Sequence, residues 1–272
     1  MNKEMRDFIK ECDCPERLSG PKRNHIVLTD EIKQYLDGEL LGDGCMYARS
    51  QGNPYFKYSS KHYEYAYWLT YIFHRNGIQT SNVKKRFIKL KNKDKLYLSH
   101  SFYTKRYVEF QGVRKRWYPN GKKIVPQDIT LTPIVLRQWY IGDGYLQNHR
   151  SITLFTDCFS VSNLNLLVAN LERIGIKANI QMDRWIYLGA RNCEKFFEYI
   201  GKCPEEIIGV YGYKWLYSQN PVYKGVYFDK QKGKWSARVQ YNKRRYFLGL
   251  FSDKNEGIAK VKEFRGEIWK KN

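Results

Sequence analysis

The sequence predicts an α+β protein made of two pseudo-symmetric αββαββα halves, followed by a small module of three strands and a helix. Three observations predict it. The stretch Leu36-Asp37-Gly38-Glu39-Leu40-Leu41-Gly42-Asp43-Gly44 returns 100 residues later as Leu136-Arg137-Gln138-Trp139-Tyr140-Ile141-Gly142-Asp143-Gly144. After each copy the hydrophobic pattern passes through the same order of alternation and helical spacing. Beyond Asn220-Pro221 short alternating runs give way to Ile258, Val261, Phe264 and Ile268 at helical spacing. The boundaries follow: an extension over residues 1–26, a first half over 27–118, a second over 119–219 and the module over 220–272.

Each half opens with a helix. Leu28-Thr29-Asp30 is the start signal of the first, and in Leu131-Thr132-Pro133 of the second Thr132 can be the N-cap with Pro133 at the first helical position, where its missing N–H costs nothing. Each helix runs into Gly-Asp-Gly, and a glycine just past an apolar helical run suits a terminus, so Asp43 and Asp143 fall at the helix ends. Residues 47–51 and 55–60 then alternate around Gly52-Asn53-Pro54, as 145–147 and 151–156 do around His149-Arg150, which predicts two hairpins. Helices follow over 62–75, ending at Asn76-Gly77, and over 160–173, ending at Gly175. Two further strands are expected near 83–90 and 96–100 in the first half, and near 176–182 and 185–188 in the second. A last helix near 102–110, and near 193–200, closes each half.

Composition narrows the function. The chain has 272 residues with 48 Lys and Arg against 27 Asp and Glu, a formal net charge of +21. Such an excess attracts polyanions, with nucleic acid ahead of anionic membrane. The apolar runs are far short of a bilayer span, and residues 1–11 alternate charges instead of forming a signal-peptide core, so no membrane association is expected and an intracellular location is. Six cysteines without a CxxC pair support neither a zinc ribbon nor a disulfide framework. Cys12 and Cys14 form the one local cluster, and two ligands do not close a zinc shell.

Gly38 and Gly42 lie one turn apart on the first motif helix, and Gly142 matches the second of them, so the two helices can approach closely. Packed together, they bring Asp43 and Asp143 side by side. Two neighbouring carboxylates repel unless divalent cations lie between them, the arrangement used in metal-assisted phosphodiester hydrolysis. Oxygen ligands, few in number, suit Mg²⁺.

On these residues the sequence, over about Thr29 to Leu216, resembles the LAGLIDADG homing endonucleases of the monomeric, two-motif kind. The resemblance implies a saddle of two halves, each laying a four-stranded antiparallel sheet into the DNA major groove. Acidic residues at the motif ends would bind Mg²⁺ and cut both strands, leaving short 3′ overhangs. Mn²⁺ is expected to substitute, and Ca²⁺ to bind without supporting cleavage. Asp43 and Asp143 match the acidic position, and Gly42 and Gly142 the residues whose backbone carbonyls face metal. Lys122-Lys123-Ile124-Val125-Pro126 resembles the family's Lys-Lys-x-x-Pro segment, which carries an active-centre role to Lys123, with Lys122 the alternative. Tyr213-Lys214 occupies the equivalent place in the second half and makes Lys214 its partner. The charges at Asp37 and Glu39, and Gln138 in place of a small residue, predict a looser helix interface than usual. The expected partner is double-stranded DNA with a long asymmetric target, bound by a monomer encoded in a mobile intron or a free-standing element. Some relatives are RNA-splicing maturases instead, which keeps intron RNA as an alternative partner.

Strands in the major groove present alternate side chains to base edges. The candidate readers are Tyr47, Arg49, Gln51, Asn53, Lys57, Lys84, Arg86, Lys89 and Lys91 in the first half, and Gln147, His149, Arg150, Lys177, Asn179, Gln181 and Arg184 in the second. The run Arg114-Lys115-Arg116-Trp117 is expected to follow phosphates between the halves.

In the module, Gly225-Val226, Trp235-Ser236-Ala237-Arg238-Val239 and Leu248-Gly249-Leu250-Phe251 resemble signatures of the AP2 DNA-binding domain. That resemblance implies a sheet reading the major groove through Lys224, Tyr227, Lys234, Trp235, Arg238, Arg245 and Phe247. A non-catalytic repressor dominated by this module is the remaining rival reading.

Overall fold

The computed structural model describes residues 5, 7, 8, 24–48, 52–89, 96–148, 150–216, 225–229, 231–241 and 244–269, with the side chains of 241 and 265–269 outside the description. The candidate readers Arg49, Gln51, Lys91, His149 and Lys224, together with Cys12 and Cys14, lie outside these residues. The chain divides into two compact units, residues 1–217 and 218–272.

The first unit holds both halves. Helix α1 (Asp30–Leu41) begins where the Thr29 hydroxyl accepts from the Ile32 N–H. Strands β1 (Cys45–Tyr47) and β2 (Tyr55–Ser60) form the expected hairpin, and helix α2 (Tyr63–Arg75) ends at Gly77, which takes a positive φ. Strands β3 (Lys84–Lys89) and β4 (Leu96–Tyr103) follow, then helix α3 (Phe110–Trp117). In the second half, helix α4 (Pro133–Asp143) starts at Thr132, whose hydroxyl accepts from the Val135 N–H. Then come β5 (Gly144–Gln147), β6 (Ser151–Phe155), α5 (Val161–Arg173), β7 (Asn179–Gln181), β8 (Trp185–Leu188), α6 (Ala190–Ile200) and the short α7 (Ile208–Tyr211). Each sheet is antiparallel, with order β1-β2-β4-β3 in one and β5-β6-β8-β7 in the other, so the duplication extends to topology.

One element differs from expectation. The last helix of the first half is α3, not residues 102–110, because β4 continues to Tyr103 and buries Phe102 in the core. The basic run at 114–117 is therefore helical, and all of it except the exposed Lys115 is engaged with protein. Arg114 donates to the Met46 carbonyl, Arg116 pairs with Asp37 (2.6 Å) and Asp128 (2.8 Å), and Trp117 is fully buried with its indole N–H on Asp37 (2.8 Å). This replaces the expected strip along phosphates.

Helices cover one face of each sheet and leave the other open. In the first half Met46, Phe56, Tyr58 and Phe102 point inward against Tyr65, Leu69 and Phe73 of α2. In the second, Ile152, Leu154, Ile186 and Leu188 pack against Leu164, Leu167 and Phe196. Burying a large side chain of this kind contributes about 1.5–3 kcal/mol. Among the described residues no helix is long and apolar enough to cross a membrane.

The second unit pairs β9 (Val226–Asp229), β10 (Lys234–Tyr241) and β11 (Arg244–Phe251) in the order β11-β10-β9, followed by helix α8 (Lys254–Trp269). Val226, Ala237, Val239 and Val261 form its small core.

Candidate active centre and open sheet faces

The two motif helices meet along their glycines. A Cβ built on Gly38 would stand 2.6 Å from the Gln138 Cβ and 2.7 Å from the Val135 carbonyl oxygen, so only glycine allows this approach. At the helix ends a Cβ on Gly42 would lie 3.6 Å from the Gly142 Cα, and one on Gly142 would lie 3.4 Å from the Asp43 nitrogen. Asp43 and Asp143 are thus adjacent across the junction of the halves. The second glycine of each motif makes room for its own helix: a Cβ on Gly44 would sit 2.7 Å from the Glu39 carbonyl oxygen, and one on Gly144 2.0 Å from the Tyr140 ring. Neither Gly42 nor Gly144 takes a left-handed φ, so close packing, not a left-handed cap, requires glycine at Gly38, Gly44 and Gly144, whereas a Cβ on Gly42 would make an ordinary contact.

The expected loosening by Gln138 and Glu39 does not occur. Gln138 Nε2 donates to Glu39 Oε1 (2.9 Å) and to the Tyr65 hydroxyl (3.0 Å), and Tyr65 donates to the same carboxyl oxygen. Glu39 is 2% exposed, and burial raises its pKa to about 8 against the help of these two donors, with Asp43 and Asp143 adding like charge. A carboxyl whose folded pKa is raised stabilises fully below its unfolded value of about 4.5 and loses that contribution as pH rises through about 8. Glu39→Gln keeps an acceptor oxygen for both donors without the ionisation. The thermal midpoint of the variant should therefore fall less between pH 5 and pH 8 than that of the parent, as followed by calorimetry.

Two lysines stand beside the acidic pair. Lys123 Nζ donates to the carbonyls of Gly42 and Gly44, both at 3.1 Å, while Lys122 is exposed. Lys214, 6% exposed, donates to Tyr140 (3.1 Å), Ile141 (2.6 Å) and Gly144 (2.8 Å), and lies over the rings of Tyr140 and Tyr211. Burial lowers the pKa of Lys123, and that of Lys214 to about 8, with the two aspartates opposing. Burial likewise raises Asp43, which both lysines lower; it raises Asp143 to about 7, with the charge of Asp43 as the second cause. Among the described residues no three His, Cys, Asp or Glu side chains converge as metal ligands. The donor set is therefore two carboxylates and nearby backbone carbonyls, hard oxygens too few to enclose an ion, and this fits a divalent cation that keeps part of its water shell.

Strand register sorts the candidate readers. Tyr47 pairs with Tyr55, Lys57 with Tyr103, Lys84 with Ser101 and Arg86 with Ser99, which puts Tyr47, Lys57, Lys84 and Arg86 on the open face of the first sheet. Lys89 pairs with Leu96 at the opposite parity and falls on the other face, correcting its assignment. The Asn53 carboxamide oxygen is held by Gln111 (2.7 Å). In the second sheet Gln147, Asn179 and Gln181 lie on the open face, paired with Ser151, Tyr187 and Trp185. Arg150 lies in the turn after β5, Lys177 precedes β7, and Arg184 is held by Asp157 (2.7 Å) over the Trp185 ring. The same faces carry Tyr55, Tyr103, Tyr145, Thr153 and Tyr187, which strand parity with the chosen residues would have identified.

In the module, Tyr227 pairs with Ser236, Arg238 with Phe247 and Gln240 with Arg245, on the face away from α8. Lys234 shares that parity. Trp235 alternates to the helix side, half-buried edge-to-face on Phe228 with Lys254 over its ring, so its place as a groove reader is corrected. Phe247 is 60% exposed on the open face.

Duplicated sheet-and-helix halves joined through two acid-tipped helices define a two-motif α/β protein, and comparison with known proteins agrees. The LAGLIDADG DNA endonuclease family matches residues 33–196, and the chain belongs to that family. An uncharacterised protein of Methanocaldococcus jannaschii is 31% identical over 150 residues, 53% of this chain and 57% of that protein. The cytochrome b mRNA maturase bI2 of Debaryomyces hansenii is 30% identical over 170 residues, 59% of this chain and 63% of that protein. The chain thus spans about three fifths of the length of these curated relatives. Among solved structures, the homing endonuclease I-WcaI bound to its DNA recognition sequence has the same fold, with a TM-score of 0.61, 19% identity, and coverage of 80% of this chain and 94% of that one.

Proposed function

We propose that the protein is a site-specific, Mg²⁺-dependent double-strand DNA endonuclease that hydrolyses one phosphodiester bond in each strand. The observation that carries this reading is the meeting of Asp43 and Asp143 at the Gly42–Gly142 junction, with the half-buried Lys123 and the buried Lys214 beside them. The two carboxylates would hold Mg²⁺ with help from the Gly42 and Gly142 carbonyls. Bound there, the ion supplies a Lewis acid for the phosphate and a lowered pKa for the attacking water. Lys123 and Lys214 place positive charge where the transition state gains negative charge, and their burial strengthens that effect. The open sheet faces would lie in the major groove on either side of the cut, and the AP2-like module would add affinity through effective concentration without chemistry.

The test is selection of cleaved sequences from a randomised duplex library, with Mg²⁺ present and then chelated. One long asymmetric site with Mg²⁺-dependent cuts in both strands is expected; binding without cuts by a folded preparation overturns the reading.

The Debaryomyces relative favours a second reading, assistance of intron RNA splicing. Stimulation of splicing of the host intron by purified protein supports it, and no stimulation excludes it. Removal of the residues after Asn220 separates both from a repressor. An endonuclease should keep cutting at its site with weakened affinity, whereas a repressor should lose all specific binding.

A further inference from the structure

The two open sheet faces are chemically unlike. The strands of the first sheet carry Lys57, Lys84, Lys85, Arg86 and Lys89, of which Lys57, Lys84 and Arg86 are on the open face. Cations also stand over its tyrosines, with Lys57 5.4 Å from the Tyr47 ring centre and Arg106 5.2 Å from that of Tyr55. The four strands of the second sheet, GYLQ, SITLF, NIQ and WIYL, contain no charged residue at all. Their open face presents the exposed carboxamides of Gln147, Asn179 and Gln181 among Tyr145, Thr153 and Tyr187. None of the three carboxamides hydrogen-bonds another side chain among the described residues. Of the cations at its rim, Arg184 is held by Asp157, and Arg150 and Lys177 lie outside the strands.

Resting on the reading that both faces meet DNA, we infer that the sheets divide recognition. The first grips its half-site by charge, and the second specifies a half-site rich in A·T pairs through uncharged amides. The chemistry is direct. A carboxamide matches adenine N6 and N7 as a donor and acceptor pair, whereas guanine offers two acceptors that call for Arg or Lys. Tyrosine rings, of which Tyr145 is exposed on this face, suit the thymine methyl in the same groove. A sheet without cations also releases few counterions, so the salt dependence of binding belongs to the first half and the module.

The test uses the full chain on the site recovered by selection. The half-site facing the second sheet, mapped by crosslinking through a photoreactive group placed at Tyr145, should be A·T-rich. Replacing Gln147, Asn179 and Gln181 together by Ala should relax base preference in that half-site alone, by roughly 5- to 150-fold in discrimination for each A·T pair read. The slope of log affinity against log salt should not move. Replacing Lys57, Lys84 and Arg86 together by Ala should instead flatten that slope by about 0.9 for each phosphate no longer neutralised. A G·C-rich half-site under the second sheet, or an amide variant that flattens the slope, overturns the division while leaving the endonuclease reading intact. Recovery of no DNA site overturns both.

Discussion

Asp43→Asn and Asp143→Asn are each expected to reduce cutting of both strands by on the order of 10³-fold or more, while duplex binding persists. On the proposed reading, each substitution would remove one of the two carboxylates meant to hold the cation, and no third carboxylate converges there among the described residues. Loss at one motif is felt at the other because the two side chains share a single desolvated junction, where the charge of Asp43 helps raise Asp143 to about pKa 7. Removing either charge also lessens repulsion of the incoming phosphates, so affinity should hold or rise. Single-turnover cleavage of the selected duplex and a gel-shift titration of the same duplex separate the two quantities. Unchanged cutting by either variant removes these residues from the chemistry.

Gly38→Ala is expected to be the most damaging of the conservative changes along the motif helices. The added methyl meets a backbone oxygen at 2.7 Å as well as the Gln138 Cβ at 2.6 Å, and neither is the far end of a flexible side chain. Overpacking of this kind costs about 1–3 kcal/mol, more than the roughly 0.5–1 kcal/mol that alanine gains over glycine inside a helix. The midpoint of thermal unfolding should fall by several degrees at about 2–4 °C per kcal/mol for a unit of this size. Cutting should fall with it, because separating the helices separates Asp43 from Asp143. Gly42→Ala is the control: its methyl would meet its nearest neighbour at an ordinary 3.6 Å, and its midpoint should stay near that of the parent. Equal losses in the two variants would show that the helices do not close most tightly at Gly38.

The duplication makes most of the fold legible from sequence. The two motif helices, their Thr29 and Thr132 caps and both antiparallel sheets follow from local pattern, and two copies of each pattern check one another. What escapes depends on partners distant in sequence. Glu39 reads as a charge that would loosen an interface, because its partners Tyr65 and Gln138 are 26 and 99 positions away. Residues 114–117 read as a basic strip because the acceptors of Arg116, Asp37 and Asp128, come from other elements. Lys89 stands out by residue type against its strand parity, and Trp235 by resemblance, although its alternation with Arg238 already points it elsewhere. The motif glycines do end their helices as expected, Gly42 and Gly144 being the C-caps, but without a left-handed φ; at Gly38, Gly44 and Gly144 they also provide space that the sequence does not show. Lys123 and Lys214 are reachable only through resemblance, since 48 basic residues hide any two.

The pairing of Gly38 with Gln138 also bears on how such a chain can evolve. Two copies of the first helix would face glycine with glycine and leave a gap, and two copies of the second would drive glutamine against glutamine where a single methyl is already too much. Neither half retains a surface that suits a twin of itself. Each half needs the other as a complement, and a symmetric pair made of either half alone would require the seam to change on both sides.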